Sequence, residues 1–594
     1  MEPFASELRE RGAADAPIAS ESVASIERPT LPEPRWHGRF HYRPAMRMMR
    51  LAAAPAALVL PLCLWGVLGA TAAPVTATAP SAATTDVDAG LPTAAETGQI
   101  TVMARNLYLG ADVGVALELL PDMPAAAQFM WDQVAATNFD ARVDLLAAEA
   151  AAAKPDVIGL QEATTWQCRP HPWSGVATVF DFTAQFLAAT TEAGVPYVVA
   201  QKDGERALNA GYSIPAIPFL TTVEDPETFQ PLFGTDSADC GFVIGDALLV
   251  RADLAGSVQA VGTAEYTTRY PVVPVVFTID RGFAWADLAI AGTTVRAVTT
   301  HLESLWSAGS VPPAAEQARQ LVEDLASTTI PVVVVGDFNS DPRDPRPAGD
   351  PTNPGGQPDS SEACPAQVAD PSTQTADATC SAYWTMVDAG YADSGPDAQL
   401  AVNRTWGAEG DLAGPNPERL EVSLAQGNDA GFTDRLDYVF TRNGATPVSA
   451  RIIGNQWPDS PDTWQCDDPS QIETTQESSV ILAEHGIADP ISGRGICLPT
   501  DHAGVVAVVD VSAGPAGAVT DQPTPDDHGS LRIDLLGWLL IILGVLALGL
   551  LLIVWGIYRL ATRGRRRRRR EERAAAEGAA ESGTQGGAAD PGGR

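Results

Sequence analysis

The chain has 594 residues, is 45% hydrophobic and carries a formal charge of -36 from 38 basic and 74 acidic residues. About half of the 38 lysines and arginines fall before residue 98 or after residue 512, where about as many acidic residues balance them, so the negative charge is concentrated in the stretch between. That balance argues against a broad polyanion-binding surface, while the length supplies material for a large core without fixing the number of domains.

Residues 1–45 are rich in Arg, Pro and Glu and lack apolar periodicity, so they read as a leader or as a stretch ahead of a later start at Met46, Met48 or Met49. Residues 46–72 combine arginines, an apolar core and the small-x-small triplet Ala70-Thr71-Ala72, the pattern of a cleaved export signal. An Ala/Thr/Pro/Asp linker over 73–97 leads into a folded segment expected over 98–512.

Within that segment, Ile100–Ala104 (ITVMA) reads as a strand and runs into Arg105 and Asn106. A helix-like stretch over Phe139–Ala153 is followed by a strand, Asp156–Leu160, that runs into Gln161 and Glu162. Thr294–Thr300 alternates as a strand does and ends on His301. Ile330–Val335 (IPVVVV) has the continuous β-branched character of a strand buried on both faces, yet beyond Gly336 it delivers Asp337, Phe338 and Asn339. Arg435–Phe440 (RLDYVF) places Asp437 within a strand, and Thr500-Asp501-His502 precedes a final apolar strand, Val505–Val511.

Each polar residue taken singly has an ordinary structural reading: Glu162 as a solvated loop acid, His301 as a bonded core histidine, Asp501 as a turn cap. Together, six strand-like segments carry Asn, Glu, His or Asp at an end or edge, and such ends converge on one cleft in open α/β sheets. The buried strand is then a rigid support, and Asp337 and Asn339 are the working tips it presents.

Of seven cysteines, Cys63 lies in the export signal, which leaves Cys168, Cys240, Cys364, Cys380, Cys466 and Cys497. An even set in an exported segment fits three disulfides of open connectivity, with the sequence-near pairing preferred: Cys168 with Cys240, Cys364 with Cys380, Cys466 with Cys497. Zinc is excluded for want of paired CxxC or nearby histidine spacing.

A second linker over 513–534 precedes Leu535–Tyr558, an uncharged apolar run long enough to cross a bilayer as a helix. The arginines of 559–594, above all Arg565–Arg570, keep that side in the cytoplasm. The expectation is a single-pass cell-membrane protein with its folded part outside and a basic, disordered tail inside.

The order Asn106, Glu162, His301, GDFN at 336–339, RLDYVF at 435–440 and TDH at 500–502 resembles the endonuclease/exonuclease/phosphatase superfamily, to which deoxyribonuclease I and the neutral sphingomyelinases belong. The resemblance covers about Gln99 to Ser512, and Arg404-Thr405-Trp406 fits it as well. Two departures are the Pro/Asp/Gly-rich insert at Pro342–Thr379 and Asp246, where many relatives have asparagine.

The resemblance implies an α/β fold, a four-layer sandwich of two mixed β-sheets flanked by helices, here followed by the transmembrane helix. It implies a metal site for Mg²⁺, or Mn²⁺, built from Asn106, Glu162 and Asp501. Asp337 would orient water as a base and Asn339 would hold a phosphate oxygen. His301 and His502 would donate to the phosphoryl group, with Asp437 fixing one imidazole.

The expected protein is a monomeric, membrane-tethered extracellular phosphoesterase acting on a phosphodiester of nucleic acid or lipid, with a phosphomonoester also open. The alternative is a catalytically silent surface-binding module on the same fold. For substrate contacts, Trp166, Trp173 and Trp306 either stack on substrate or pack their own loops, and Arg169 and Arg269 are candidate anion contacts.

Overall fold

The computed structural model describes residues 98–512, apart from 171–174, 274–276, 308, 348, 355–359, 367–377, 430 and 459–460. The leader, export signal, both linkers, the apolar run at 535–558, the basic tail and Trp173 lie outside the described residues. Among the described residues no helix is long and apolar enough to cross a membrane.

Strand-forming sequence builds two mixed sheets. The larger has 10 strands, ordered Thr446–Ile453, Gly504–Asp510, Gln99–Asn106, Val157–Gln161, Ser237–Arg251, Thr165–Pro170 and Ala177–Asp181, with three shorter strands also paired to Ser237–Arg251. The smaller has 6, ordered Val258–Glu265, Gly282–Ile290, Thr293–His301, Val332–Asp337, Asp437–Arg442 and Ala392–Asp393. Each sheet holds one parallel pair of site-bearing strands: Gln99–Asn106 with Val157–Gln161, and Thr293–His301 with Val332–Asp337.

Side-chain alternation sorts these residues into layers. Val102 and Ala104 pack inward with Val333, Val335 and Val439 of the opposite sheet. Met103 points the other way, toward Trp131, Val134, Val143 and Leu146 on the outer helices Met123–Thr137 and Phe139–Ala153. On the smaller sheet, Val332 and Val334 face Ala314, Ala318 and Leu321 of helix Pro313–Asp324 and Met386 of helix Ala382–Asp388. The run of valines is thus buried on both faces because one face meets helices and the other meets a sheet. The layers are helices, sheet, sheet, helices.

Gly159 marks how closely the sheets approach. A Cβ there would lie 2.4 Å from Val335 Cγ2 and 2.6 Å from Thr299 Oγ1. Helix Phe139–Ala153 has the bounds its sequence suggests, capped by the Asn138 side chain, which accepts from Ala141 N, and ended by Lys154 in the left-handed conformation.

The final strands differ slightly from expectation. RLDYVF does not start as a strand at Arg435; pairing begins at Asp437. Ahead of it, the Arg435 N–H donates to Asp341 Oδ2 at 2.8 Å, and those of Leu436 and Asp437 donate to Thr405 Oγ1 at 3.0 and 3.2 Å, so the first backbone donors are spent on side chains. The insert starting at Pro342 is anchored by a buried ion network in which Arg343, Arg346 and Arg404 meet Asp341, Asp344 and Asp434. All three disulfides join the sequence-near pairs.

Candidate active site

The two sheets bring their polar ends to the same edge. Asn106, His301 and Asp337 are the last residues of their strands, and Asp437 is the first of a strand running the opposite way. Register places His301 beside Asp337, and Asp337 directly opposite Asp437. Glu162 follows its strand with a φ of 54°, and Asn339 follows Asp337 by two residues with a φ of 46°. A left-handed glutamate costs on the order of 1–3 kcal/mol. Glu162 is held there by Leu109 N, which donates to Oε2 at 2.6 Å, and by Asn106 Nδ2, 3.2 Å from Oε1.

Glu162, His301, Asp337, Asn339, Asp501 and His502 line one cleft of about 190 Å³. Asn106 and Asp437 lie fully buried beneath it, bonded to the lining residues. All eight residues singled out in the sequence therefore meet at one place.

Asp337 Oδ2 is the hub. It accepts from Asn106 Nδ2 at 3.1 Å, and Nε2 of both His301 and His502 lies 3.5 Å away. Oδ1 accepts from Asn339 N at 2.9 Å. Burial raises the Asp337 carboxyl, His502 opposes that and Asp437 adds to it, so it is pushed up to about 7. His502 is also bonded through Nδ1 to Asp437 Oδ2 at 3.0 Å. Burial disfavours its charged form, but Asp437, Asp501 and Asp337 together outweigh it and raise His502 to about 10.

His301 behaves in the opposite way. Burial, Arg281 and His502 all hold it well below 6.5. Its Nδ1 lies 3.0 Å from Arg281 Nη1 and its Nε2 lies 3.0 Å from the Asn339 amide.

Ligand-type atoms are gathered at this site. Asp337, Asp437 and His502 each offer an atom within 4.8 Å of the others. His502 bonds through Nδ1 to Asp437, and the surrounding carboxylates favour its charged form, which has no lone pair to offer a metal. This cluster suits proton handling. Glu162 and Asp501 offer hard carboxylate oxygens to the cleft, the chemistry that suits Mg²⁺ or Mn²⁺. Asp501 is pushed up to about 6, first by burial and further by the nearby Glu162 charge, a repulsion that a cation would relieve. Asn106 turns its NH₂ to Glu162 and Asp337, and its Oδ1 accepts from Tyr108 N at 2.8 Å. It therefore bridges the two carboxylates, and its Oδ1 keeps one lone pair beside the Tyr108 bond.

Several expected contacts are used elsewhere. Trp166 is buried in the helix-side core and donates to Leu109 O at 3.0 Å, so it packs its own loop. Trp306 is half-buried and does not line the cleft. Arg169 pairs with Asp239 at 3.9 Å, and Arg269 with Glu265 and Asp280, each at 3.3 Å, so neither is presented to an anion in the cleft.

The cation that does reach the cleft, Arg281, was missed in sequence, as were Tyr108 and Tyr212, whereas Trp406 comes from the Arg404-Thr405-Trp406 segment that fits the family pattern. Arg281 sits one residue before the strand Gly282–Ile290, and only the hairpin carrying it toward His301 gives it meaning. Asp246 is buried behind it and its carboxyl is raised well above the usual range, chiefly by burial and against the pull of Arg281.

The sequence profile of the Endonuclease/Exonuclease/phosphatase family matches residues 131–502, more than half of the chain. Among solved structures, an endonuclease/exonuclease/phosphatase from Beutenbergia cavernae DSM 12333 is 15% identical, with 71% of this chain and 73% of that chain covered at a TM-score of 0.35. A mannosyl-6-phosphatase from Bacteroides thetaiotaomicron VPI-5482 is 13% identical, with 69% and 99% covered at 0.33. Humanized D. rerio TDP2 carrying 14 mutations is 13% identical, with 70% and 99% covered at 0.31. No curated protein matches the chain.

Proposed function

The chain belongs to the endonuclease/exonuclease/phosphatase family, and we propose that it hydrolyses a phosphate ester by direct attack of water, with a phosphodiester of nucleic acid or lipid as its substrate. The observation that carries this reading is Asp337 Oδ2, on which Asn106 and the Nε2 atoms of two histidines of opposite character converge.

A carboxyl pushed up to about 7 can take a proton from water near neutral pH, which makes Asp337 the base. As the water oxygen bonds to phosphorus, its proton passes to Asp337 and the ester P–O bond breaks. His502, held as a cation by Asp437, then supplies a proton to the departing oxygen. His301 and Asn339 donate to the phosphoryl oxygens. Glu162 and Asp501 would hold Mg²⁺ or Mn²⁺, with Asn106 steadying Glu162. Such an ion neutralises charge on the phosphate. No Ser or Cys nucleophile is required, so no covalent intermediate forms.

The same proposal places the enzyme outside the cell as a monomer, exported by residues 46–72 and tethered by the apolar run at 535–558. Support for that comes from the sequence pattern alone. The deciding experiment is an activity panel of DNA, RNA, sphingomyelin and phosphomonoesters on the purified full chain, with Mg²⁺ or Mn²⁺ and with chelator. Chelator-sensitive turnover of one class identifies the substrate. Absence of turnover on all of them in folded protein selects the silent binding module instead.

A further inference from the structure

The two histidines that share Asp337 are backed by opposite charges. Behind His502 stands Asp437, an acceptor that requires a proton on Nδ1. Behind His301 stands Arg281, whose Nη1 lies 3.0 Å from Nδ1. A guanidinium has donors and no acceptor, so the only bond available to that pair has His301 Nδ1 accepting. Nε2 has a donor-only neighbour too, Asn339 Nδ2 at 3.0 Å, which gives one of its two hydrogens to Leu302 O. Of the two, the charged guanidinium has the stronger claim on the single lone pair of a neutral imidazole, which leaves the proton on Nε2, facing Asp337 Oδ2 at 3.5 Å.

Arg281 is itself fixed. Its Nε donates to Glu303 Oε2 at 3.4 Å, its guanidinium lies 5.7 Å from the Tyr212 ring centroid, and it is buried at the cleft wall. The groups facing His301 are therefore Arg281 with Glu303 behind it, Asp337 and Asn339 on the neighbouring strand end, His502 across the cleft, and Asp246 of the opposite sheet, which accepts from the His301 backbone N–H.

We propose that Arg281 is a positioning residue that fixes His301 as its Nε2–H tautomer, making it an uncharged single-proton donor beside Asp337. Its catalytic consequence rests on the phosphoesterase reading above; the tautomer does not. A charged His301 would have to point a second N–H at the guanidinium, so while Arg281 is in place His301 stays neutral. His301 thereby orients the phosphoryl group through one N–H without entering the proton balance of the reaction.

The test uses the full chain, selectively ¹⁵N-labelled at its 7 histidines, with His301 assigned by the H301Q difference spectrum. At about pH 7, wild-type His301 should show the pyridine-like shift at Nδ1 and the pyrrole-like shift at Nε2. R281K keeps a donor-only cation and should retain that pattern. R281M removes the donor and should release His301 to a tautomer mixture that titrates nearer its ordinary 6.5.

On bis(p-nitrophenyl) phosphate, R281M should lower kcat about 10- to 100-fold and add an ionisation near neutral to the pH profile, with R281K restoring much of both. Wild-type His301 protonated at Nδ1, or an unchanged tautomer in R281M, overturns the proposal. Should R281M fail to fold, the wild-type and R281K spectra decide it. An Nε2–H tautomer in a chain inactive on every phosphate ester would support the positioning role and count against the phosphoesterase reading alone.

Discussion

Asp337 and Asp437 are directly opposite each other at the ends of adjacent antiparallel strands, and His502 spans the pair, Nδ1 to Asp437 at 3.0 Å and Nε2 to Asp337 at 3.5 Å. Two buried carboxylates so close would repel each other without a cation between them. The fold supplies that cation as an imidazolium, and the second oxygen of Asp437, Oδ1, is buried with no hydrogen-bond partner. The couple is built to keep His502 charged.

Replacing Asp437 by Asn should therefore lower the His502 pKa from about 10, because Asp437 is the largest of the charges that raise it. In the wild type the folded value lies above the unfolded value of 6.5, so the stability contributed by His502 is fully present below about pH 6.5 and is lost as pH rises through about 10. In Asp437→Asn that contribution should be smaller and its loss complete at lower pH. Thermal unfolding of both proteins across that window measures it, and coincident pH profiles of Tm would refute the assignment.

Glu162→Gln should leave folding intact and raise the Mg²⁺ or Mn²⁺ concentration needed for half-maximal activity, because an amide oxygen is a weaker ligand for a hard cation. Rates measured against metal concentration, together with direct Mn²⁺ binding, separate this from a loss of catalysis at saturating metal. An unaltered metal requirement removes Glu162 from the proposed ligand set.

The buried strand was legible at Ile330–Val335 because its β-branched run admits few alternatives, and the polar tips were legible because they stand at strand ends in a fixed order. Arg281 was not, since it acquires its partner only when a hairpin places it beside His301, 20 residues away. Arg169 and Arg269 illustrate the converse: a basic residue in a loop carries no sign of whether a carboxylate will claim it, and here Asp239, Glu265 and Asp280 do. For Trp166 the sequence leaves stacking and loop packing equally open, and the buried packing with its bond to Leu109 O settles it, because hydrogen-bond partners are set by tertiary placement.

Gly159→Ala should destabilise the protein by about 1–3 kcal/mol, the usual cost of forcing a methyl group into a packed core. The added Cβ would meet Val335 Cγ2 and Thr299 Oγ1 well inside contact distance, so the sheets would have to separate beneath the cleft. Urea unfolding gives the loss directly. Unchanged stability would show that the inter-sheet packing yields more readily than these distances imply.

Removing residues 535–594 should release the protein from the membrane fraction with its activity retained, since every residue of the cleft lies between Asn106 and His502. Cell fractionation followed by assay of both fractions checks this. A soluble, folded and inactive product would make the apolar run part of the mechanism and the proposed division of the chain wrong.

Asp337→Asn is the sharpest test of the site, because it keeps the size of the residue that four neighbours share while removing its charge. Asn339 N can still donate to an amide oxygen, and the strand Val332–Asp337 keeps its buried valines, so circular dichroism and Tm should change little. What disappears is the charge that balances His502 and the group able to take a proton from water near neutral pH. Turnover at saturating metal should fall on the order of 10²–10⁴-fold, the usual loss on removing a positioned base, while metal affinity set by Glu162 and Asp501 stays close to wild type. A variant that retains full turnover would show that proton removal occurs elsewhere, and His502, left with Asp437 as its bonded carboxylate, would then be the group to examine.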